Sequence, residues 1–153
     1  MASTSIDFAE KEKKQYIVVK IGSEQYGIDI SFIDNIVRMA KITRVPKVQQ
    51  YFKGIINLRG EIVPVMSIRR KMGLEDDIYS NASRIIILKL EQGMIGVIVD
   101  SVKEVVALSE DEIDRNSTSQ KSNSNFINGI GKNGEELISL LELSAVVDDS
   151  IIG

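Results

Sequence analysis

The chain has no histidine and no cysteine. Imidazole acid–base catalysis, thiol nucleophiles, disulfides and zinc centres built on those ligands are therefore excluded together. Carboxylates are among the groups that remain, and the adjacent pairs Asp76/Asp77, Asp111/Glu112 and Asp148/Asp149 are expected in loops or the tail. Side chains next to one another in the chain rarely converge on one metal or one sugar, so these are expected to be solvated acids. Gly129-x-Gly131-x-x-Gly134 matches a dinucleotide fingerprint in letters, but that motif needs a following helix, a further strand and an acid roughly 20 residues on. Only 19 residues follow Gly134, so turn glycines are the better reading. No catalytic residue, metal or cofactor is expected.

Asn57-Leu58-Arg59-Gly60 is different, because it sets a planar, always-charged guanidinium at a tight turn between two apolar runs, beside Glu61. Such a tip can meet a partner. An ordinary turn in which Gly60 supplies positive φ and Arg59 is merely solvated is the alternative, and position alone leaves both open.

The elements that hold this turn follow from composition. Within 153 residues and 17.0 kDa there is room for one compact domain or two very small ones. The chain has 24 Ile and 14 Val against 9 Leu and 6 Ala, a β-branched excess that suits pleated strands. The net charge is −3, and the N-terminal lysines Lys11, Lys13 and Lys14 alternate with Glu10 and Glu12, so nucleic acid is not expected as a partner. No apolar run reaches the roughly 18 residues needed to span a bilayer, and the start lacks a signal-peptide core; a cytoplasmic location without direct membrane insertion is expected.

The chain repeats itself. Tyr16–Val37 aligns with Ile85–Val106 without a gap at an offset of 69, matching Gly27 with Gly96, Ile30 with Val99, Ile33 with Val102 and Ile36 with Val105. A second block from Gly54 aligns with one from Gly129 at an offset of 75, pairing Val63 with Ile138. Preserved order and matched glycines point to duplication. Each copy opens with a hairpin, the first turning at Gly22-Ser23 as a II′ turn, the second through a short loop ending in Gly93. In the first copy further strands are expected at Asp34–Ile42, Gly54–Leu58 and Glu61–Ser67, the last at an edge or with a bulge because Pro64 cannot donate to a ladder. Five short strands per unit suit a small closed barrel, and about 60 residues need a neighbour for support. The expected units are residues 15–70 and 84–147, joined by 71–83, with a flexible start at 1–14, a mobile loop at 114–125 and a tail at 148–153. Leu137–Val147 is expected to start as strand and end as helix.

The run KGIINLRGEIVPVMSIRRKMG at 53–73, with EQYGIDISFIDNIVR at 24–38 and GVIVDSVKEVV at 96–106, resembles the CheW family of bacterial chemotaxis coupling proteins. The likeness extends from about Gln15 to Val147. It implies a mainly β fold of two intertwined five-stranded SH3-like barrels with short helices, no catalytic activity, and an adaptor role joining methyl-accepting chemotaxis receptors to the histidine kinase CheA at a membrane-associated array. It further implies that Gly54, Asn57, Arg59 and Gly60, with Asn35, meet the kinase's regulatory domain, although many relatives have an acid where this chain has Asn35. The cytoplasmic receptor tip would dock between the barrels on Ile30, Ile33, Ile36, Val99 and Val102. A CheW-like module of a CheV-type protein, or of the kinase's own regulatory domain, is the alternative that the resemblance leaves open.

Overall fold

The computed structural model describes residues 12–115 and 124–147. The expected tail, most of the expected mobile loop and nearly all of the expected N-terminal segment lie outside the described residues. Among those described, the strands are β1 (Lys13–Ile21), β2 (Glu24–Asp29), β3 (Ile33–Arg38), β4 (Phe52–Leu58), β5 (Glu61–Ser67), β6 (Arg84–Leu90), β7 (Gly93–Val99), β8 (Ser101–Ser109), β9 (Ile113–Asp114), β10 (Ile127–Asn133) and β11 (Glu136–Leu141). Two one-turn helices, α1 (Ile68–Lys71) and α2 (Leu143–Val146), follow β5 and β11.

The strands form two sheets, ordered β8-β1-β2-β11-β10-β9 and β3-β6-β7-β5-β4. Each sheet takes its leading hairpin from the other copy of the repeat: β1–β2 completes the sheet of β8–β11, and β6–β7 completes that of β3–β5. The sheets therefore cut across the linear units 15–70 and 84–147. Registers repeat with the sequence. Leu140 lies opposite Gly27 and Val65 opposite Gly96, both in parallel pairings. Bulges fall at Asp34 and at its repeat partner Lys103, and again at Lys53 and its partner Asn128. Even the isolated Thr43–Ile55 bridge has its counterpart in the Asp114–Ile130 pair.

β1 and β6 sit inside their sheets and are buried on both faces, which explains the unbroken apolar runs in their sequences. Ile17, Val19, Ile86 and Leu88 enter one large core between the sheets. Tyr16 and Val18 on β1, and Ile85 and Ile87 on β6, fill the smaller core of their own sheet. Each fully buried aliphatic side chain contributes about 1.5–3 kcal/mol. The matched glycines mark tight places in those smaller cores: a Cβ on Gly27 would lie 2.8 Å from Leu140 Cδ2, and one on Gly96 2.7 Å from Ile85 Cγ2.

Several local expectations are corrected. β3 stops at Arg38 rather than Ile42, because its partner β6 begins at the paired residue Arg84. β5 is an interior strand, not an edge. Pro64 is tolerated because its partner Ile55 spends both backbone groups on Thr43, at 2.8 Å each, leaving no bond across that pair, while pairing of β5 with β7 starts only at Val65. Of the three glycines in the false dinucleotide match, only Gly134 (φ +66) serves a turn. Gly129 and Gly131 lie within β10, where a Cβ would meet Ile113 at 2.7 Å and Leu108 at 2.5 Å. They let the edge of the six-stranded sheet close over β10.

Candidate functional site

Two surfaces emerge from this frame, one at the seam between the sheets and one at the β4–β5 corner. At the seam, the bulge at Asp34 puts Ile33 and Ile36, three apart on β3, on the same face, opposite Leu88 and Ile86. The bulge at Lys103 does the same for Val102 and Val105, opposite Val19 and Ile17. Ile33, Ile36 and Val102 pack, partly exposed, against the core between the sheets. Ile30 stays 36% exposed in a 3-10 turn where Asp29 Oδ1 accepts from Ser31 N–H at 2.9 Å. Four of the five expected receptor-facing residues thus offer apolar surface. Val99 does not: its exposure is 0%, and it belongs to the core. Val105 (48% exposed) and Phe32 (41%) belong to the surface instead. The 69-residue offset already pointed to Val105 as the partner of Ile36.

At the corner, Leu58 pairs with Glu61, so Arg59-Gly60 is a two-residue turn. Both residues have positive φ, +53 and +85, a type I′ conformation that an arginine adopts at a cost of about 1 kcal/mol. The structure thus places the left-handed conformation on Arg59 as well as on Gly60. Asn57 Oδ1 accepts from Gly60 N–H at 3.0 Å, so Asn57 holds the turn. Arg59 is exposed and has no hydrogen bond or ion pair among the described residues. Ile62, opposite Asn57 and 61% exposed, adds an apolar patch that sequence reasoning missed; its signal was the outward position next to buried Val63.

Gly54 and Asn35 do not join this corner as contact surface. Gly54 is buried at φ +142, and a Cβ there would fall 2.1 Å from Thr43 O, so the residue seats the β3–β4 connection on β4. Asn35 lies on the opposite edge strand of the five-stranded sheet, and its Oδ1 accepts from Ile36 N–H at 2.8 Å.

Charged groups tie the two surfaces together. Arg69 on α1 donates to Asp100 at 2.5 and 3.1 Å, and Gly22 N–H donates to the same carboxylate at 2.8 Å. Burial alone would raise the Asp100 pKa, but the Arg69 and Gly22 hydrogen bonds together with the Arg69 charge outweigh it and hold the carboxyl below its ordinary value. Asp77 is the reverse case and corrects the expectation of a solvated acid. Burial pushes its carboxyl up despite the hydrogen bond donated by Ser67 Oγ, and its Oδ1 has no partner. Lys53, 2.6 Å from Asp76, lowers that carboxyl.

Among the described residues no group of three or more acids gathers as a metal site, and no helix is long and apolar enough to cross a membrane. The arrangement offers contact surfaces. A family profile described as the CheW-like domain matches residues 15–150. The CheW chemotaxis protein of Bacillus subtilis is 32% identical over 139 residues, covering 90% of this chain and 89% of that protein. That of Helicobacter pylori is 31% identical, covering 90% and 83%. The crystal structure of the scaffolding protein TtCheW from Thermoanaerobacter tengcongensis superposes with a TM-score of 0.81 at 31% identity, over 89% of this chain and 88% of that one. With two duplicated, hairpin-exchanged sheets matched over nearly their whole length, the chain belongs to the CheW-like domain family of chemotaxis proteins.

Proposed function

We propose that the chain is a non-catalytic adaptor that couples methyl-accepting chemotaxis receptors to the histidine kinase CheA, reaching a membrane-associated array through these partners. The observation that carries the reading is the apolar surface of Ile33, Ile36 and Val102, drawn from both copies of the repeat and backed by the core between the sheets, with exposed Ile30 and Val105 each three residues along the chain from it. A receptor helical hairpin would lay its apolar face on this surface, with about 25 cal/mol per Å² of apolar area as the driving term. The Arg59 corner, with Ile62 beside it, would meet the kinase's regulatory domain. Two modest contacts on one body add through effective concentration, so individually weak interactions suffice for an array. Signal transfer then requires that the two receptor states bind this body differently.

Co-sedimentation with receptor-bearing membranes and purified kinase tests both surfaces. Arg59→Glu should lose kinase while still sedimenting with receptors. Val105→Asp should lose receptor binding, keep kinase binding and keep the parent's thermal midpoint, since Val105 is half exposed. If both variants retain both partners, the reading is wrong.

A further inference from the structure

A third surface lies within a stretch of the chain whose charge sets it apart from the rest of the molecule. Between Asn35 and Gly60 there are six basic residues and no acid; these +6 sit in a chain of net −3, so the other residues stand together at −9. Within this segment the β3–β4 connection runs for thirteen residues, 39–51, without a strand of its own. Connections of that length in small domains are uncommon and are usually functional. It is pinned to β4 through Thr43 and Ile55, and with the inter-unit connection around Asp76 and Tyr79 it frames a cleft of about 960 Å³.

The walls of the cleft are apolar at Ile42, Val45, Val48, Phe52 and Tyr79, and its basic groups are Arg44, Lys47, Lys53 and Arg70. Lys53 is held by Asp76 and Arg70 by Gln50, each at 2.6 Å. Arg44 and Lys47 are exposed and have no hydrogen bond or ion pair among the described residues. Lys47 adopts φ +60 directly after Pro46. Among the described residues only Lys47 and Arg59 are non-glycines with positive φ, and both are basic members of the acid-free segment. Left-handed backbone at a residue with a Cβ persists where the surroundings fix it, and it clusters at ligand-holding positions.

We propose that this cleft binds an acidic segment of a partner protein, with one apolar side chain seated between Val48 and Tyr79 and carboxylates on Arg44 and Lys47. The apolar walls favour a peptide over a polyphosphate or a lipid surface. The −9 of the remaining residues opposes any extended anionic partner, such as a duplex or a bilayer, that would also face the acidic parts of the molecule. The site is separate from the Arg59 corner. The cleft meets β4 at Phe52 and Lys53 and Arg59 follows its other end, about 20 Å away along an extended strand.

The test uses the isotope-labelled chain titrated with a fluorescent heptapeptide of sequence EDFEDLE, with QNFQNLQ and EDGEDGE as uncharged and anchorless controls. Amide shifts should cluster in 39–53 and 70–79, both controls should bind more weakly, and raising salt from about 50 to about 300 mM should weaken EDFEDLE. The double variant Arg44→Glu/Lys47→Glu, confined to an exposed loop, should lower affinity by about tenfold or more at an unchanged thermal midpoint. Shifts centred elsewhere, or equal affinity for EDFEDLE and QNFQNLQ, would overturn the proposal. So would tighter binding of oligothymidylate than of EDFEDLE. A parent that is dimeric by sedimentation and becomes monomeric in the double variant would also refute it, by assigning the cleft to a second copy of the chain.

Discussion

Gly54→Ala separates a residue that touches a partner from one that positions the surface around it. The added methyl would fall 2.1 Å from Thr43 O and 2.9 Å from Ile42 Cγ2, and the first of these is backbone that cannot rotate away. At φ +142 the alanine is also strained in itself. The connection must therefore lift off β4, breaking the two 2.8 Å bonds between Thr43 and Ile55. Two hydrogen bonds at about 1 kcal/mol each, plus about 1 kcal/mol of backbone strain, give a loss of about 3 kcal/mol. Gly129→Ala is the internal control, because the repeat partner has no positive φ and its added methyl meets only side chains, Ile113 at 2.7 Å and Arg115 at 3.2 Å. It should cost about 1 kcal/mol. Urea unfolding of both variants gives the energies, and hydrogen exchange at Thr43 and Ile55 reports whether the strap has opened. If Gly54→Ala is no costlier than Gly129→Ala, or if both amides stay protected, the positional account of Gly54 fails, and a kinase defect in that variant would have to come from direct contact.

Two other perturbations probe the corner and the charged ties. Arg59→Asn should raise stability by about 0.5 kcal/mol, because asparagine suits the first position of a type I′ turn, while it weakens kinase binding; denaturant midpoints and kinase titration together decide this, and a loss of stability would contradict the strain argument. Asp100→Asn and Asp77→Asn should alter the pH profile of stability in opposite senses. The lowered Asp100 pKa gives stability that is present above the unfolded value of about 3.9 and is lost as pH falls through the folded pKa, so Asp100→Asn should cost about 1–2 kcal/mol at neutral pH and nothing in strong acid. The raised Asp77 pKa gives a contribution present below the unfolded value and lost as pH rises through the folded one, so Asp77→Asn should gain stability relative to the parent at neutral pH. Parallel profiles for the two variants would refute both assignments.

The duplication was legible because apolar alternation and glycines are local marks that survive in each copy, and they matched Gly27 with Gly96, which the structure sets in equivalent registers opposite Leu140 and Val65. The exchange of leading hairpins was not legible in those marks. Which distant strand β1 pairs with depends on burial that both candidate partners, β3 and β8, satisfy equally well by pattern. Val99, which the resemblance puts on the receptor-facing surface, departs from its repeat partner for a traceable reason. Its partner Ile30 is turned outward because Asp29 caps the following turn, whereas the residue equivalent to Asp29 is Ile98, which stays in the sheet opposite Ile85 and carries β7 on to Val99. A single polar residue at the end of a strand thus decides whether the next side chain is surface or core. Asp77 was misjudged because a polar run gives no hint that the inter-unit connection folds back onto Ser67, which is itself fully buried.

The corner and the seam are joined by one short, stiff path. β5 starts at Glu61, beside the Arg59 turn, and runs about 20 Å to Ser67, where α1 begins. Arg69 on that helix grips Asp100, and Asp100 lies two residues before Val102 of the apolar surface. The same carboxylate accepts from Gly22, in the turn of the exchanged hairpin β1–β2, and the backbone N–H of Asp100 donates to Lys20 O at 2.9 Å. One ion pair therefore fixes three chain segments from two sheets at the point where the path between the surfaces changes sheet. Such a strut has a thermodynamic consequence for an adaptor. Effective concentration depends on how narrowly the second surface is held once the first is bound, and a flexible link of the same span would spread that surface over a larger volume. The exchanged hairpins serve the same end, because neither sheet can close without strands from the other copy, and the two surfaces cannot drift apart without opening the core they share.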